Sequence, residues 1–147
     1  MKKYSFTIAM FFISFCLRAQ EVTWIDSARK INKDTYELHW TAKISNPWHI
    51  YSHNMPDGGP VPTNIQIDHN PAIIKLDTLR EVGKLITKYE PAFGFEVKYY
   101  ENAVDFVQVI RLKPSTENSI TGSIMFMVCK ADRCMPPAKV FFHIPLN

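Results

Sequence analysis

Apolar and polar residues alternate without interruption from Tyr36 to Ile44. The apolar positions of this segment are Tyr36, Leu38, Trp40, Ala42 and Ile44. A period of two places all of them on one face of a β-strand and the polar residues on the other face. The segment therefore predicts a strand with one buried face and one face in water.

Other short runs are rich in β-branched and aromatic residues, which is the composition of strands. These runs are Val22–Ile25, Trp48–Tyr51, Asn64–Ile67, Ala103–Leu112, Ser119–Val128 and Lys139–Ile144. The run Ala103–Leu112 is apolar on parts of both faces, so we expect it to be a central strand. The segment Leu79–Tyr89 contains Gly83, which disfavours a helix, and it predicts a turn leading into a strand.

The arrangement of these runs indicates the fold class. No stretch predicts a long amphipathic helix, and the chain contains 10 prolines. Short strands separated by turn residues are typical of an antiparallel β-sandwich. We therefore predict an all-β fold and, among sandwiches, an immunoglobulin-like topology. Residues 54–60 include prolines and glycines that interrupt a strand, so they predict a loop.

The N-terminus has the parts of a secretory signal peptide. Lys2 and Lys3 give a positive start, the segment 6–17 is almost entirely apolar, and Ala19 is a small residue at the cleavage position. The apolar stretch has about 12 residues, whereas a membrane-spanning helix needs about 20, so an uncleaved anchor is the weaker interpretation. We predict a signal peptide over residues 1–19 and one exported domain over residues 20–147.

The charge of the chain depends on this N-terminal segment. The full sequence has 17 basic and 14 acidic residues. The signal peptide carries Lys2, Lys3 and Arg18 and no acidic residue, so the exported domain has equal numbers of both signs. Without a net positive field, the composition does not favour nucleic acid or an anionic membrane as a partner.

Two cysteines remain in the exported domain, because Cys16 leaves with the signal peptide. They are Cys129 and Cys134, at a hairpin-like connection between two apolar runs, and exported domains keep their disulfides. The chain-entropy model gives about 2 kcal/mol for so short a loop, against about 3 kcal/mol for a loop of about 15 residues. A bridge that contributes little to folding is suited to being made and broken.

Charged residues and prolines surround the pair. Lys130 and Arg133 favour a thiolate and Asp132 opposes it, so the sequence leaves their net effect open. Pro136 and Pro137 stiffen the exit from the loop and remove two backbone donors. We expect an exposed, rigid loop that presents two sulfur atoms to another protein.

Two other interpretations fit the same residues. The first is a non-catalytic binding module with a permanent structural disulfide, as in many small secreted domains. The second is a metal site. Zinc needs four ligands and the exported domain has no second cysteine pair, whereas soft ligands suit copper. The candidate copper ligands besides the cysteines are Met55, Met125, Met127, Met135, His53 and His143.

Three segments carry a resemblance to a known family. They are Cys129–Pro137, with the pattern Cys-x4-Cys-x-Pro-Pro before the last strand run, Trp48–Tyr51 with the sequence Trp-His-Ile-Tyr, and Tyr89–Val97. On these segments the chain resembles the amino-terminal periplasmic domain of the DsbD thiol:disulfide interchange protein, over nearly all of residues 21–146. Enterobacterial members of that family have a longer spacing between their cysteines than the four residues present here.

The resemblance implies an immunoglobulin-like sandwich in the periplasm that works without a cofactor. Its cysteines would take electrons from a membrane-embedded donor in trans and pass them to thioredoxin-like periplasmic oxidoreductases. Cys134 corresponds to the cysteine that forms mixed disulfides with partners, and Cys129 to the one that resolves them. We expect the domain to be a monomer.

The resemblance also implies a shielded site. Phe93 and Gly94 fall in the cap loop that covers the cysteines until a partner arrives, with Phe93 as the lid and Ala92 as the alternative to it. His49 and Tyr51 match aromatic positions beside the cysteines. Core packing is the competing explanation for Phe93 and Tyr51, since buried aromatic side chains dominate sandwich cores.

Overall fold

The computed structural model describes residues 21–114 and 119–146. The predicted signal peptide, residues 1–19, lies outside the described residues. The described ranges contain no helix that is long and apolar enough to span a membrane; they consist of strands, turns and loops. The strands are β1 (Val22–Lys30), β2 (Thr35–Ile44), β3 (His49–Tyr51), β4 (Asn64–Ile67), β5 (Ile73–Leu76), β6 (Arg80–Gly83), β7 (Ile86–Glu90), β8 (Phe95–Tyr100), β9 (Ala103–Leu112), β10 (Ser119–Phe126), β11 (Val128–Lys130), β12 (Arg133–Cys134) and β13 (Ala138–Pro145).

The strands form three antiparallel sheets. The first sheet has the order β1-β2-β9-β5, and β6 pairs with a different part of β9. The second sheet has the order β13-β10-β4, and the third has the order β12-β11-β3-β8-β7. The main core lies between the first sheet and the other two. The predicted all-β antiparallel sandwich is confirmed.

Alternation in β2 determines which of its faces is buried. Leu38 and Trp40 are both 0% exposed, and the Trp40 ring meets Phe142 of β13 edge to face, with ring centroids 5.2 Å apart. On β1, Trp24 makes a similar contact with Phe126 of β10 at 5.3 Å. These contacts join the first sheet to the second, and fully burying a Leu or Phe side chain contributes about 1.5–3 kcal/mol.

Most of the predicted strands are confirmed. The bounds of β2, β3, β4 and β9 agree with the prediction to within one residue, and β9 is central, between β2 and β5. The run Ser119–Val128, predicted as one strand, is two. The chain leaves the second sheet after Phe126 and enters the third at Val128, with Met127 at the crossing.

The region from Ile73 to Tyr100 contains more strands than the sequence predicted. Leu79–Tyr89 was expected to be a turn leading into a strand, and it contains β6 and most of β7, while β5 and β8 were not predicted. The side chains of β5 and β7 are mostly exposed. Such strands lack the apolar-polar alternation that marks a half-buried strand.

A carboxylate ties the first sheet to the third. Glu81 of β6 accepts hydrogen bonds from Ser52 Oγ (2.8 Å), the His53 amide (2.6 Å) and the Tyr100 hydroxyl (2.9 Å). Burial, and then the bond to Glu81, raise the pKa of Tyr100 far above its usual range. Ser52 and His53 follow β3 directly, so these bonds fix the end of that strand beside the cysteine-bearing hairpin.

Candidate functional site

Cys134, Cys129 and His49 form a row across the third sheet. Cys129 of β11 pairs directly with Cys134 of β12 on one side and with His49 of β3 on the other. Directly paired residues of neighbouring strands project from the same face of a sheet. The fold therefore places two sulfur atoms and an imidazole side by side, although His49 is far from the cysteines in the sequence.

The two cysteines form a disulfide and differ in exposure. Their Cα atoms are 4.0 Å apart. Cys129 is 1% exposed, whereas Cys134 is an exposed residue. The expected hairpin connection is present, with Ala131 and Asp132 in the turn. Because exchange requires access to sulfur, an outside thiolate can reach Cys134 and not Cys129.

A small apolar cluster, separate from the main core, buries Cys129. Its other buried members are Tyr51 and Val97, and the partly buried side chains packed against them are Met55, Phe95, Tyr99 and Met127. The Met55 sulfur accepts a hydrogen bond from the Lys98 amide (3.2 Å), which ties the loop 54–60 to β8. Tyr51 is 6% exposed, so it packs in this cluster as well as lying beside the disulfide.

His49 is the polar member of the row. Its ring centroid lies 4.5 Å from that of Tyr99 and 5.2 Å from that of Tyr51. Nε2 of His49 is 3.2 Å from the Tyr51 hydroxyl oxygen. Burial lowers the pKa of His49, against an opposing effect of Glu101, so the imidazole is mainly neutral at pH 7. Burial raises the pKa of Tyr51, which stays protonated.

The turn between β7 and β8 stands beside the row. The Glu90 carbonyl accepts hydrogen bonds from the amides of Phe93 and Gly94, each 3.0 Å long. Gly94 has a φ of 78°, a conformation that glycine adopts without steric cost. The Phe93 ring stacks on Phe95 with centroids 6.0 Å apart and is 41% exposed. Phe93 is therefore a surface residue and not part of the core.

The row and the turn line one open cleft of about 290 Å³. Five of the residues expected at the site are in its lining: Cys129, Cys134, His49, Tyr51 and Phe93. The other one, Gly94, shapes the turn, and Ala92 lines the cleft next to Phe93. The turn therefore stands next to the disulfide, and Cys134 is an exposed residue in this arrangement.

Trp48 holds the two basic residues next to the cysteines. Lys130 and Arg133 pair across the β11–β12 ladder. Lys130 Nζ and the Arg133 guanidinium carbon lie 5.4 Å and 5.6 Å from the centre of the Trp48 ring. Strand alternation places this pair on the opposite face from Cys129 and Cys134. The two cations therefore contact an aromatic ring on that face, while both residues also border the cleft that contains the disulfide.

Trp48 and Tyr99 are among the residues of the site that were not predicted as site residues. Trp48 lies in the Trp-His-Ile-Tyr segment, and its alternation with His49 was the available signal that it faces the other side of the sheet. Tyr99 lies on β8, which the sequence pattern did not predict, so no signal placed it beside His49.

The candidate copper ligands do not all meet at one point. Met125 and His143 belong to the second sheet, whereas Met55 and Met127 pack in the cluster around Cys129 of the third. Among residues 21–114 and 119–146, no group of three or more His, Cys, Asp and Glu side chains could hold a metal ion. The cysteines themselves are joined in a disulfide.

Fold and site together define a class: an immunoglobulin-like β-sandwich with a cysteine pair in a surface cleft. The sequence matches the family model described as "Thiol:disulfide interchange protein DsbD, N-terminal" over residues 17–145. The chain belongs to this family, a family of thiol-disulfide interchange modules. The resemblance carried by the cysteine-to-proline motif is thereby confirmed.

A solved structure supports the fold. The N-terminal domain of DsbD from Neisseria meningitidis, in the reduced form, superposes with a TM-score of 0.52 at 12% sequence identity. The alignment covers 84% of this chain and 86% of that domain. The expected immunoglobulin-like fold is therefore confirmed. A comparison with curated protein sequences found no match.

Proposed function

We propose that this protein is a periplasmic thiol-disulfide exchange module that works through Cys129 and Cys134 without a cofactor. One observation carries the proposal: the bridge joins an exposed residue, Cys134, to a buried one, Cys129. A structural bridge has no need of this asymmetry. A bridge that reacts with partner proteins needs one sulfur to be attacked and a second to be kept out of reach until resolution.

The mechanism follows from that difference in exposure. A donor thiolate attacks the Cys134 sulfur, the bond to Cys129 breaks, and Cys129 leaves as a thiolate that takes up a proton. A second donor thiolate then attacks the donor sulfur of the mixed disulfide and releases Cys134. The donor is oxidised to a disulfide and the domain is reduced to a dithiol. The reverse sequence reduces an acceptor disulfide.

The β7–β8 turn is proposed as the cap, with Phe93 as its lid residue. Phe93 lines the cleft. Its ring stacks on Phe95, and its amide and that of Gly94 donate to the Glu90 carbonyl. A partner that approaches Cys134 must contact this exposed ring. His49 and Tyr51 are proposed to support the partner contact from the floor of the cleft.

The partners are proposed from family membership. The family implies interaction with thioredoxin-like oxidoreductases in general. We propose that periplasmic members of that group receive the electrons, that a membrane-embedded reductant supplies them in trans, and that the domain acts as a monomer. We also propose that a signal peptide over residues 1–19 exports the domain, in agreement with the family's periplasmic location.

Trapping of mixed disulfides in cells tests the exchange function. In the Cys129→Ala variant the resolving sulfur is lost, so adducts should accumulate at Cys134 and be identified by mass spectrometry as oxidoreductases of the thioredoxin fold. The matched control is Cys134→Ala, which leaves only the buried sulfur and should trap far less. Normal expression of Cys129→Ala without any adduct would show that the bridge does not exchange.

The rival function, a binding module with a structural disulfide, is separated by redox titration. Glutathione buffers of known ratio are equilibrated with the purified domain, and the thiols are counted. A bridge that stays oxidised, with a potential below about −300 mV, would favour the structural role. A bridge that is reduced within the glutathione range favours exchange.

A further inference from the structure

We propose that His49 is the general base that takes the proton from the Cys129 thiol when Cys129 resolves a mixed disulfide. This inference rests on the proposed exchange function and adds a residue with a proton-transfer role to it. The observation that carries it is the direct cross-strand pairing of His49 with Cys129, which places both side chains on the same face of the sheet. Cys134 pairs with Cys129 from the other neighbouring strand, β12.

The burial of Cys129 makes its attack on a mixed disulfide at Cys134 chemically difficult. The nucleophile in thiol-disulfide exchange is the thiolate, and an apolar environment disfavours the thiolate form. Cys129 is 1% exposed and is packed with Tyr51 and Val97. Solvent therefore has poor access to its proton, and a base inside the cleft is required for fast resolution.

The basic residues nearest in the chain do not meet this need. Lys130 and Arg133 contact the Trp48 ring on the other face of the sheet. They are also cations, which can stabilise a thiolate but have no lone pair to accept its proton. A side chain with a free lone pair beside the sulfur has to come from another strand.

His49 has the required properties. Directly opposed residues in an antiparallel pair have Cβ atoms about 4.5–5.5 Å apart, which is within reach of an imidazole and a thiol. If Nε2–H donates to the Tyr51 oxygen at 3.2 Å, the Nδ1 lone pair is left free to accept a proton. The lowered pKa of His49 keeps the ring in the neutral form that a base needs. The titratable groups in contact with the ring or acting on it are Tyr51, Tyr99, Lys88, Glu101 and Cys129. Charged residues that line the same cleft are Glu90, Lys130, Asp132 and Arg133.

Atoms and charges balance in the proposed step. The Cys129 thiol gives its proton to Nδ1 of His49 and becomes a thiolate, while the ring becomes an imidazolium. The thiolate attacks the Cys134 sulfur of the mixed disulfide, the Cys129–Cys134 bond forms, and the partner leaves as a thiolate. The imidazolium then releases its proton to water. When a donor reduces the bridge, the steps run in reverse: His49 takes a proton from water, and the imidazolium gives it to Cys129 as that sulfur leaves.

The test uses the reduced protein and the aromatic disulfide 5,5′-dithiobis(2-nitrobenzoate). Cys134 reacts first and releases one aromatic thiolate, and Cys129 then displaces the second in an intramolecular phase, both followed by absorbance. In the wild type the second phase should be nearly independent of pH above the pKa of His49. In His49→Gln it should be about 100-fold slower near pH 7 and rise about tenfold per pH unit, while the first phase is unchanged.

Two further variants separate proton transfer from a packing effect. Added imidazole should accelerate the second phase of His49→Ala and leave the wild type unaffected. His143→Gln, an exposed histidine of β13 in the second sheet, should behave as wild type. The inference is overturned if His49→Gln keeps the wild-type pH profile, or if imidazole has no effect on His49→Ala.

Failure of the exchange function gives a different result. If wild-type protein shows no second phase, Cys129 does not resolve adducts at Cys134, and the proposed function falls together with the role of His49. If the wild type shows both phases but the His49 variants keep the wild-type pH profile, the exchange function stands and His49 is only a contact residue.

Discussion

The guanidinium carbon of Arg133 lies 5.6 Å from the centre of the Trp48 ring, on the opposite face of the sheet from the disulfide. Arg133 is adjacent to Cys134 in the chain, where a cation favours a thiolate and Asp132 opposes it, so the sequence left their net effect open. Strand alternation instead turns it to the far side. In this structure the guanidinium of Arg133 contacts Trp48.

A double-mutant cycle checks this contact. Trp48→Leu and Arg133→Met, singly and together, should give a coupling free energy of about 0.5–1 kcal/mol, the value of a partly exposed cation–π contact. The measurement is urea unfolding of the oxidised protein. Lys43→Met, an exposed cation of β2, is the control partner for Trp48→Leu. A coupling of zero with Arg133 would show that the two side chains are independent.

The difference in burial predicts a difference in alkylation. In single-cysteine variants of the reduced protein, Cys134 should react with iodoacetamide at least tenfold faster than Cys129, because Cys129 is 1% exposed and buried thiols are unreactive. Mass spectrometry over time gives both rates at one pH. Equal rates, in variants that both remain folded, would remove the basis for assigning different roles to the two sulfur atoms.

Gly94 sets the shape of the turn that carries Phe93. With φ at 78°, Gly94→Ala should cost about 1 kcal/mol of stability. By loosening the turn it should speed reduction of the disulfide by dithiothreitol several-fold. Gly58→Ala is a matched control, because Gly58 also has a positive φ, 86°, and an added Cβ there would meet no atom within 4 Å, as at Gly94. It should cost similar stability and leave the reduction rate unchanged.

Glu81 connects two sheets through several hydrogen bonds. Glu81→Gln removes the charge and one acceptor oxygen while Ser52, His53 and Tyr100 keep their donors, so the unfolding free energy should fall by about 1–3 kcal/mol. Chemical denaturation measures this change. Glu96→Gln, an exposed carboxylate on β8, should change stability by less than about 0.5 kcal/mol. Equal effects of the two substitutions would contradict a connecting role for Glu81.

The lowered pKa of His49 predicts a pH dependence of stability. Its pKa in the folded protein lies below the ordinary histidine value of 6.5, so the unfolded state binds a proton more readily as pH falls below about 6.5. The unfolding free energy should therefore decrease with falling pH in this window, by at most about 1.4 kcal/mol per pH unit for one group. Above that window His49 is neutral in both the folded and the unfolded state, so it contributes nothing to the pH dependence of the unfolding free energy.

Comparing the wild type with His49→Gln isolates this contribution. The variant should show a flatter stability profile between about pH 6.5 and 5. Carboxylates change the unfolding free energy at lower pH. An example is Glu37, whose ordinary pKa of 4.5 is lowered chiefly by its hydrogen bond with Arg29. Parallel profiles for wild type and variant would mean that burial does not lower the pKa of His49.

The sequence predicted the strands that have one buried face and one exposed face. Tyr36–Ile44 alternates because one face meets the core and the other meets water, and β2 follows that pattern residue by residue. The strands of the third sheet were harder to predict, because β7 is mostly exposed and β8 has aromatic residues on both faces. The division of Ser119–Val128 at Met127 depends on a change of sheet, which no local pattern records.

The sequence predicted the part of the candidate site that lies in recognisable motifs. The Cys129–Cys134 spacing indicated the bridge, and the resemblance supplied Phe93, His49 and Tyr51, which all line the cleft. The direct pairing of His49 with Cys129 is a matter of register between strands far apart in sequence. Register of this kind is determined by the packing of the whole sheet, so a single sequence does not reveal it.

The shortness of β12 limits how another protein can bind. β12 has 2 residues and is the outermost strand of its sheet, and the prolines at 136 and 137 follow it without amide hydrogens to donate. Such an edge offers no row of free backbone groups for a foreign strand to extend the sheet. A foreign strand therefore finds little backbone to pair with at the β12 edge, and a protein that reaches Cys134 from this side must be held by side-chain contacts.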